Sequence, residues 1–148
     1  KLITNFKNIN KMKKILLICF LNIPLIFYSQ SEGSCVSGDC ENGVGSYLYS
    51  DGSIYDGSFI NGVEDGIGTE ILYDDQGMLT GVYQGEWEDG WPNGWGTEEL
   101  FDENGYKLGT YVGEWKDGNY DGWGIWIGRD KFIEKGIWKD NELINEIR

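Results

Sequence analysis

Histidine is missing from this chain altogether. That removes the commonest general base near neutral pH and the commonest zinc ligand together. Cysteine is scarce: Cys19, Cys35 and Cys40 are the only three, with no second pair to complete a zinc site. No G-x-S-x-G elbow occurs, and the serines gather around the leader junction and the first turns, so a serine nucleophile lacks a recognisable setting. Basic residues are few, 12 against 25 acids.

Long apolar runs are absent with one exception, the 14 residues from Ile15 to Tyr28. Residues 1–14 carry five lysines and no acid, and Ser29-Gln30-Ser31 follow the run. This is the order of a secretory signal peptide, and the run falls short of the roughly 20 apolar residues a spanning helix needs. The expectation is a leader over residues 1–30, with the start at Met12 before Lys13-Lys14, and export after cleavage to the periplasm, the cell surface or the medium. An N-terminally membrane-anchored chain is the alternative. Cys19 lies inside the apolar run behind Ile18, which is not the small residue a lipid-attachment site requires.

Without residues 1–30 the basic count falls to 7 while all 25 acids remain, a net charge of −18. Such a charge keeps an extended protein soluble and repels nucleic acid and anionic headgroups over about a Debye length. Lys and Arg read as scattered, so neither nucleic acid nor direct capture of anionic lipid is expected. Cys35 and Cys40 then form an even pair. An oxidising compartment favours a small bridge between them, with a reduced pair and half a metal site as the other readings.

Glycine is abundant instead, and it is periodic. Tyr83 to Gly96, YQGEWEDGWPNGWG, returns as Tyr55 to Gly68, YDGSFINGVEDGIG, and as Tyr111 to Gly124, YVGEWKDGNYDGWG, at a spacing of 28 residues each time. A worn copy, EKGIWKDN from Glu134, keeps Gly136 and Trp138, and a truncated copy retains Gly43 and Gly45. Self-similarity at this period marks a repeat array in which each copy is one supersecondary unit. The pattern Y-x-G-x-W-x-x-G-x-x-x-G-x-G resembles the MORN repeat (membrane occupation and recognition nexus) over about Gly38 to Asn141. The resemblance implies an all-β fold, an elongated single-layer array of stacked antiparallel β-hairpins. It also implies scaffold, dimerisation or lipid-proximal roles beside other domains rather than a set activity.

Two-residue periodicity puts Tyr55, Gly57 and Phe59 on one face, and likewise Tyr83, Gly85 and Trp87, then Tyr111, Gly113 and Trp115. The other face reads as wet. With Trp138 these rings are expected to form the aromatic columns of the core. Each strand is expected to run into a Gly-rich connection such as Asp89 to Gly94, and to return over Gly66 to Tyr73, Gly94 to Phe101 or Gly122 to Gly128. The repeat glycines are Gly57, Gly62, Gly66, Gly68, Gly85, Gly90, Gly94, Gly96, Gly113, Gly118, Gly122 and Gly124. They provide positive φ in turns and room for close approach of neighbouring hairpins. Val44, Ile67, Trp95 and Trp123 lie between glycine pairs and should make a column of their own. Asp74 to Gly81 and Asp102 to Gly109 read as longer hairpin tips. The linker of residues 31–42 is expected to be loop, the array to span 43–141, and the tail of 142–148 to form a short helical cap or a tail.

Chemistry is hard to place on this pattern. Glu86 and Glu114 occupy equivalent positions and are the one carboxylate pair worth weighing as acid and base, but on strand faces they read as solvated charge. The acidic tips Asp74-Asp75-Gln76 and Asp102-Glu103-Asn104 do not match a calcium loop. No metal, no cofactor and no catalytic residue is expected. Trp91, beside Pro92 on a connection, and Trp126 lie outside the motif and are expected to be exposed, which makes them the candidate binding surface. The functional expectation is a non-catalytic exported protein-interaction or scaffold module that binds a protein partner or itself. A cell-envelope or carbohydrate-binding module using these tryptophans is the alternative.

Overall fold

A computed structural model describes residues 33–147, so the expected leader and its Met12 start lie outside the described residues. Ten strands form one antiparallel sheet in chain order: β1 Ser34–Gly38, β2 Val44–Leu48, β3 Ile54–Ile60, β4 Val63–Tyr73, β5 Leu79–Glu88, β6 Trp91–Phe101, β7 Lys107–Lys116, β8 Asn119–Gly128, β9 Ile133–Lys139 and β10 Glu142–Glu146. Substantial contacts join only successive strands. No helix among the described residues is long and apolar enough to cross a membrane.

Four of the hairpins close on two residues: Asn61-Gly62, Asp89-Gly90, Asp117-Gly118 and Asp140-Asn141. Both central residues have positive φ in every case, for example 50° and 78° at Asp89 and Gly90. This conformation matches the twist of the flanking strands, and Asn-Gly and Asp-Gly adopt it most cheaply. The connection expected over Asp89 to Gly94 is therefore shorter than its glycines suggest, and the return strand begins at Trp91. The turns also stack. The N–H of Gly90 donates to the Glu64 carbonyl (2.9 Å) and that of Gly118 to the Pro92 carbonyl (3.0 Å), tying each turn to the previous return strand. At the long tips, Asp74 Oδ1 accepts the N–H groups of Gln76 and Met78, and Asp102 Oδ1 those of Asn104 and Tyr106, so both carboxylates serve their own turns.

The register aligns a glycine from each of β2 to β9 in one row: Gly45, Gly57, Gly68, Gly85, Gly96, Gly113, Gly124 and Gly136. A continuous strip without side chains results, and the tyrosine rings lie down upon it. A Cβ on Gly68, Gly96 or Gly124 would come within 2.2 to 2.4 Å of the hydroxyl of Tyr55, Tyr83 or Tyr111. This arrangement explains how a one-layer sheet buries large rings. Tyr55, Phe59, Tyr83, Trp87, Tyr111, Trp115 and Trp138 are each no more than 6 % exposed.

Two expectations fail at the ends. Residues 31–42 are not all loop, because β1 pairs with β2, and the tail is not a helical cap, because β10 pairs with β9. A sheet edge offers unpaired N–H and C=O groups to any adjacent chain, and this outweighs the weak intrinsic preferences of SCVSG and ELINE. Both end strands carry a bulge, between Cys35 and Ser37 and between Leu143 and Asn145. Cys35 and Cys40 are joined by a disulfide with Cα atoms 5.9 Å apart, which ties β1 to the turn that follows it.

Candidate functional site

The inner face is a single chain of rings and not separate columns. Phe59 meets Tyr55, which meets Trp87, then Tyr83, Trp115, Tyr111 and Trp138, each contact edge-to-face with centroids 4.9 to 5.5 Å apart. Edge-to-face contact sets the positive rim of one ring against the negative face of the next. Each tyrosine hydroxyl also donates to a backbone carbonyl three residues on: Tyr55 to Ser58, Tyr83 to Glu86 and Tyr111 to Glu114. Burial raises the affinity of these hydroxyls for their protons. Trp87 and Trp138 donate their indole N–H to the carbonyls of Gly68 and Gly124, whereas Trp115 Nε1 is buried without an acceptor.

The third unit adds Tyr120, stacked on Tyr111 with centroids 3.7 Å apart and planes 7° from parallel. Its hydroxyl donates to Glu98 at 2.5 Å. Desolvation raises the Glu98 carboxyl to about 7, against the pull of the Tyr120 hydrogen bond, and burial followed by the same pairing raises the Tyr120 hydroxyl well above its usual range. Glu98 lies in register between Tyr83 and Tyr111 on the inner face. Counting motif positions alone gave no reason to single it out. Its alternation with those tyrosines across the strands was the available signal.

Glu86 and Glu114, the carboxylate pair weighed as acid and base, are each engaged by the backbone of a neighbouring strand. Glu86 Oε1 accepts the N–H of Trp95 (3.2 Å) and Glu114 Oε2 that of Trp123 (2.9 Å), so each carboxylate braces the strand beside it. They face outward in one row with Trp95 between them. Among the described residues no group of three or more Cys, Asp or Glu side chains is placed to hold a metal.

The tryptophans expected to be exposed are not the exposed ones. Trp126 is half-buried against the inner cluster and its ring covers Gly109, where a Cβ would come within 2.4 Å. Trp91 is half-buried too, its ring lying over the Gly118 turn. Both rest on glycines outside their own strands, Gly118 in the β7–β8 turn and Gly109 on β7, a signal visible in sequence only once the register is known. Exposure falls instead on the residues between glycine pairs. Ile67 is 62 %, Trp95 49 % and Trp123 37 % exposed, and the two indoles sit 6.0 Å apart at 40°. The outer face is therefore not simply wet. Beside Trp123 it also carries Ile125, Ile127, Ile133 and Ile137 on β8 and β9.

Charge is divided along the sheet. Residues 33–106 contain sixteen Asp or Glu and no Lys or Arg, so the cations are not scattered. Those of the described residues are Lys107, Lys116, Arg129, Lys131, Lys135 and Lys139. Three of them pair with acids: Lys107 with Glu99, Arg129 with Asp102 and Lys139 with Asp121.

An open sheet of like hairpins with a ring chain on one face defines a β-hairpin repeat array. The MORN repeat model matches residues 41–54, 55–76, 83–102 and 111–131, just over half of the sequence, and the chain belongs to the MORN-repeat family. The worn copy around Gly136 and Trp138 falls outside those matches, yet its glycine and its indole take the same places as in the others. No curated protein matches the chain. MORN repeats fit a protein-interaction or scaffold module in general.

Proposed function

We propose that this chain is a non-catalytic protein-interaction or scaffold module that is exported. The observation that carries the reading is how the repeat side chains are used. The motif rings build the inner face, and the motif carboxylates Glu86 and Glu114 accept backbone N–H groups, so the repeated residues serve the sheet. What is left over is surface: Ile67, Trp95 and Trp123 stand exposed on a regular, extended face. Exposed apolar area of this kind marks contact with another molecule. Export is supported by the leader-like order of residues 1–30 and by the Cys35–Cys40 disulfide, which suits an oxidising compartment. The carbohydrate alternative loses its two candidates, because Trp91 and Trp126 are packed against glycines rather than presented.

The test is cross-linking and affinity capture with the protein in the envelope of its native source, run beside a broad hydrolase screen. A discrete partner and no turnover are expected. Turnover abolished by Glu86→Gln in a folded variant overturns the non-catalytic reading.

A further inference from the structure

We propose that the outer face of the sheet, along the row from Ile67 to Trp123, docks a cationic polypeptide segment in extended form. Its basic side chains sit on the indoles of Trp95 and Trp123 among the carboxylates of Glu86, Glu88 and Glu114. The proposal rests on the interaction-module reading and gives it a partner chemistry.

Geometry supplies the first part. The register pairs Ile67 with Glu86 and Trp95 with Glu114, and at the bulges of the β5–β6 and β7–β8 ladders the N–H groups of Trp95 and Trp123 donate to Glu86 and Glu114, so apolar and acidic residues alternate along the row. Trp123 itself follows Glu114 because Glu114 braces its N–H across β7 and β8. Two adjoining shallow hollows flank the row and share Glu88, Asn93 and Gly94. Side chains on one side of an extended peptide are about 6.6 Å apart. The indole centroids are 6.0 Å apart, so two such side chains can address both rings at once.

Charge selects the occupant. Lys and Arg are absent from residues 33–106, and in the hollows only Lys116 opposes Asp65, Glu86, Glu88, Glu114 and Asp121. A second copy of the chain brings the same acidic surface and is repelled, as are nucleic acid and anionic lipid. A neutral sugar can donate hydroxyls to the carboxylates but gains nothing from the net charge of the surface. A basic polypeptide gains from the carboxylates and, through cation–π contact, from the two indoles.

The test measures fluorescence anisotropy of a short labelled peptide of alternating arginine and leucine against the whole protein, with a glutamate–leucine peptide as comparator. Saturable binding of the basic peptide alone is expected at about 0.15 M salt, weakening as salt rises. The Trp95→Ala, Trp123→Ala double variant should bind at least tenfold more weakly with an unchanged circular dichroism spectrum. Trp95→Lys is the second variant, since it keeps a long side chain and reverses the charge preference; it should also lose at least tenfold. Equal affinity in both variants means that net charge alone attracts the peptide, and this overturns the proposal. Equal binding of the acidic peptide overturns it too, as does sedimentation showing a dimer of the chain that the double variant loses. A native partner that binds wild type and double variant alike sinks this surface and leaves the interaction-module reading standing, whereas substrate turnover sinks that reading instead.

Discussion

Gly96 is the residue on which the architecture is easiest to break. Its missing side chain is the space in which the Tyr83 ring lies, and a methyl group there would fall 2.4 Å from Tyr83 Oη. Tyr83 is only 2 % exposed and its hydroxyl is held by the Glu86 carbonyl, so the ring cannot step aside. Gly96→Ala should cost about 3 kcal/mol, by overpacking. Gly105→Ala meets nothing within 4 Å but keeps φ at 76°, and should cost about 1 kcal/mol. Urea unfolding of the two variants decides it; equal losses would mean that the ring does not depend on the glycine row. Glu98 is a second residue with a measurable signature. Its carboxyl is raised from 4.5 to about 7 in the folded chain. The folded state therefore holds a proton that the unfolded chain releases. The associated stability is full below pH 4.5 and is lost as pH rises through about 7. Glu98→Gln keeps an acceptor for Tyr120 and removes the titration. Melting temperatures taken from acid to mildly basic pH should fall with pH more steeply in wild type than in this variant, the other acids giving both the same background. Parallel curves would show that Glu98 is solvated.

Among the elements, the hairpins and the ends obey different rules. Asn61-Gly62, Asp89-Gly90 and Asp117-Gly118 are short-range signals of two-residue turns, yet the later glycines Gly66, Gly94 and Gly122 drew the expected return strands past their true starts at Val63, Trp91 and Asn119. β1 carries no such signal, since all five of its residues are exposed and no apolar alternation announces it. β10 has a single inward anchor, Leu143 against Trp138, and its letters read equally as helix. Only pairing with a neighbour settles such a segment. Since β1 buries no side chain, its hold on the sheet comes from the ladder to β2 and from the disulfide. The Cys35→Ser, Cys40→Ser double variant should lose at most about 2 kcal/mol, the loop-entropy value for so short a ring. The damage should be local. Hydrogen exchange should quicken over β1 and β2 and stay unchanged over β5 to β7; uniform quickening would mean that the bridge supports the whole sheet.

At the scale of the molecule, the repeat told most of the fold and little of the surface. Tyr, Gly and Trp at fixed offsets specify the inner face because each is needed there for packing. Trp95 and Trp123 occupy a place the packing does not constrain, since Val44 and Ile67 fill it equally well in other units. Their exposure could be seen only once the strands were aligned. The same alignment withdrew Trp91 and Trp126, whose rings rest on glycines far away in sequence. Charge division was written in the sequence throughout, yet it acquires meaning only on a sheet whose strands follow chain order. Extensive contacts join only successive strands, and the rings reach one strand further, from Tyr55 to Trp87, Tyr83 to Trp115 and Tyr111 to Trp138, so one unit meets only the next. Inserting or deleting one 28-residue period therefore changes reach without disturbing the join on either side, by two strands or about 9.6 Å. Such a molecule is a ruler, its span fixed by counting.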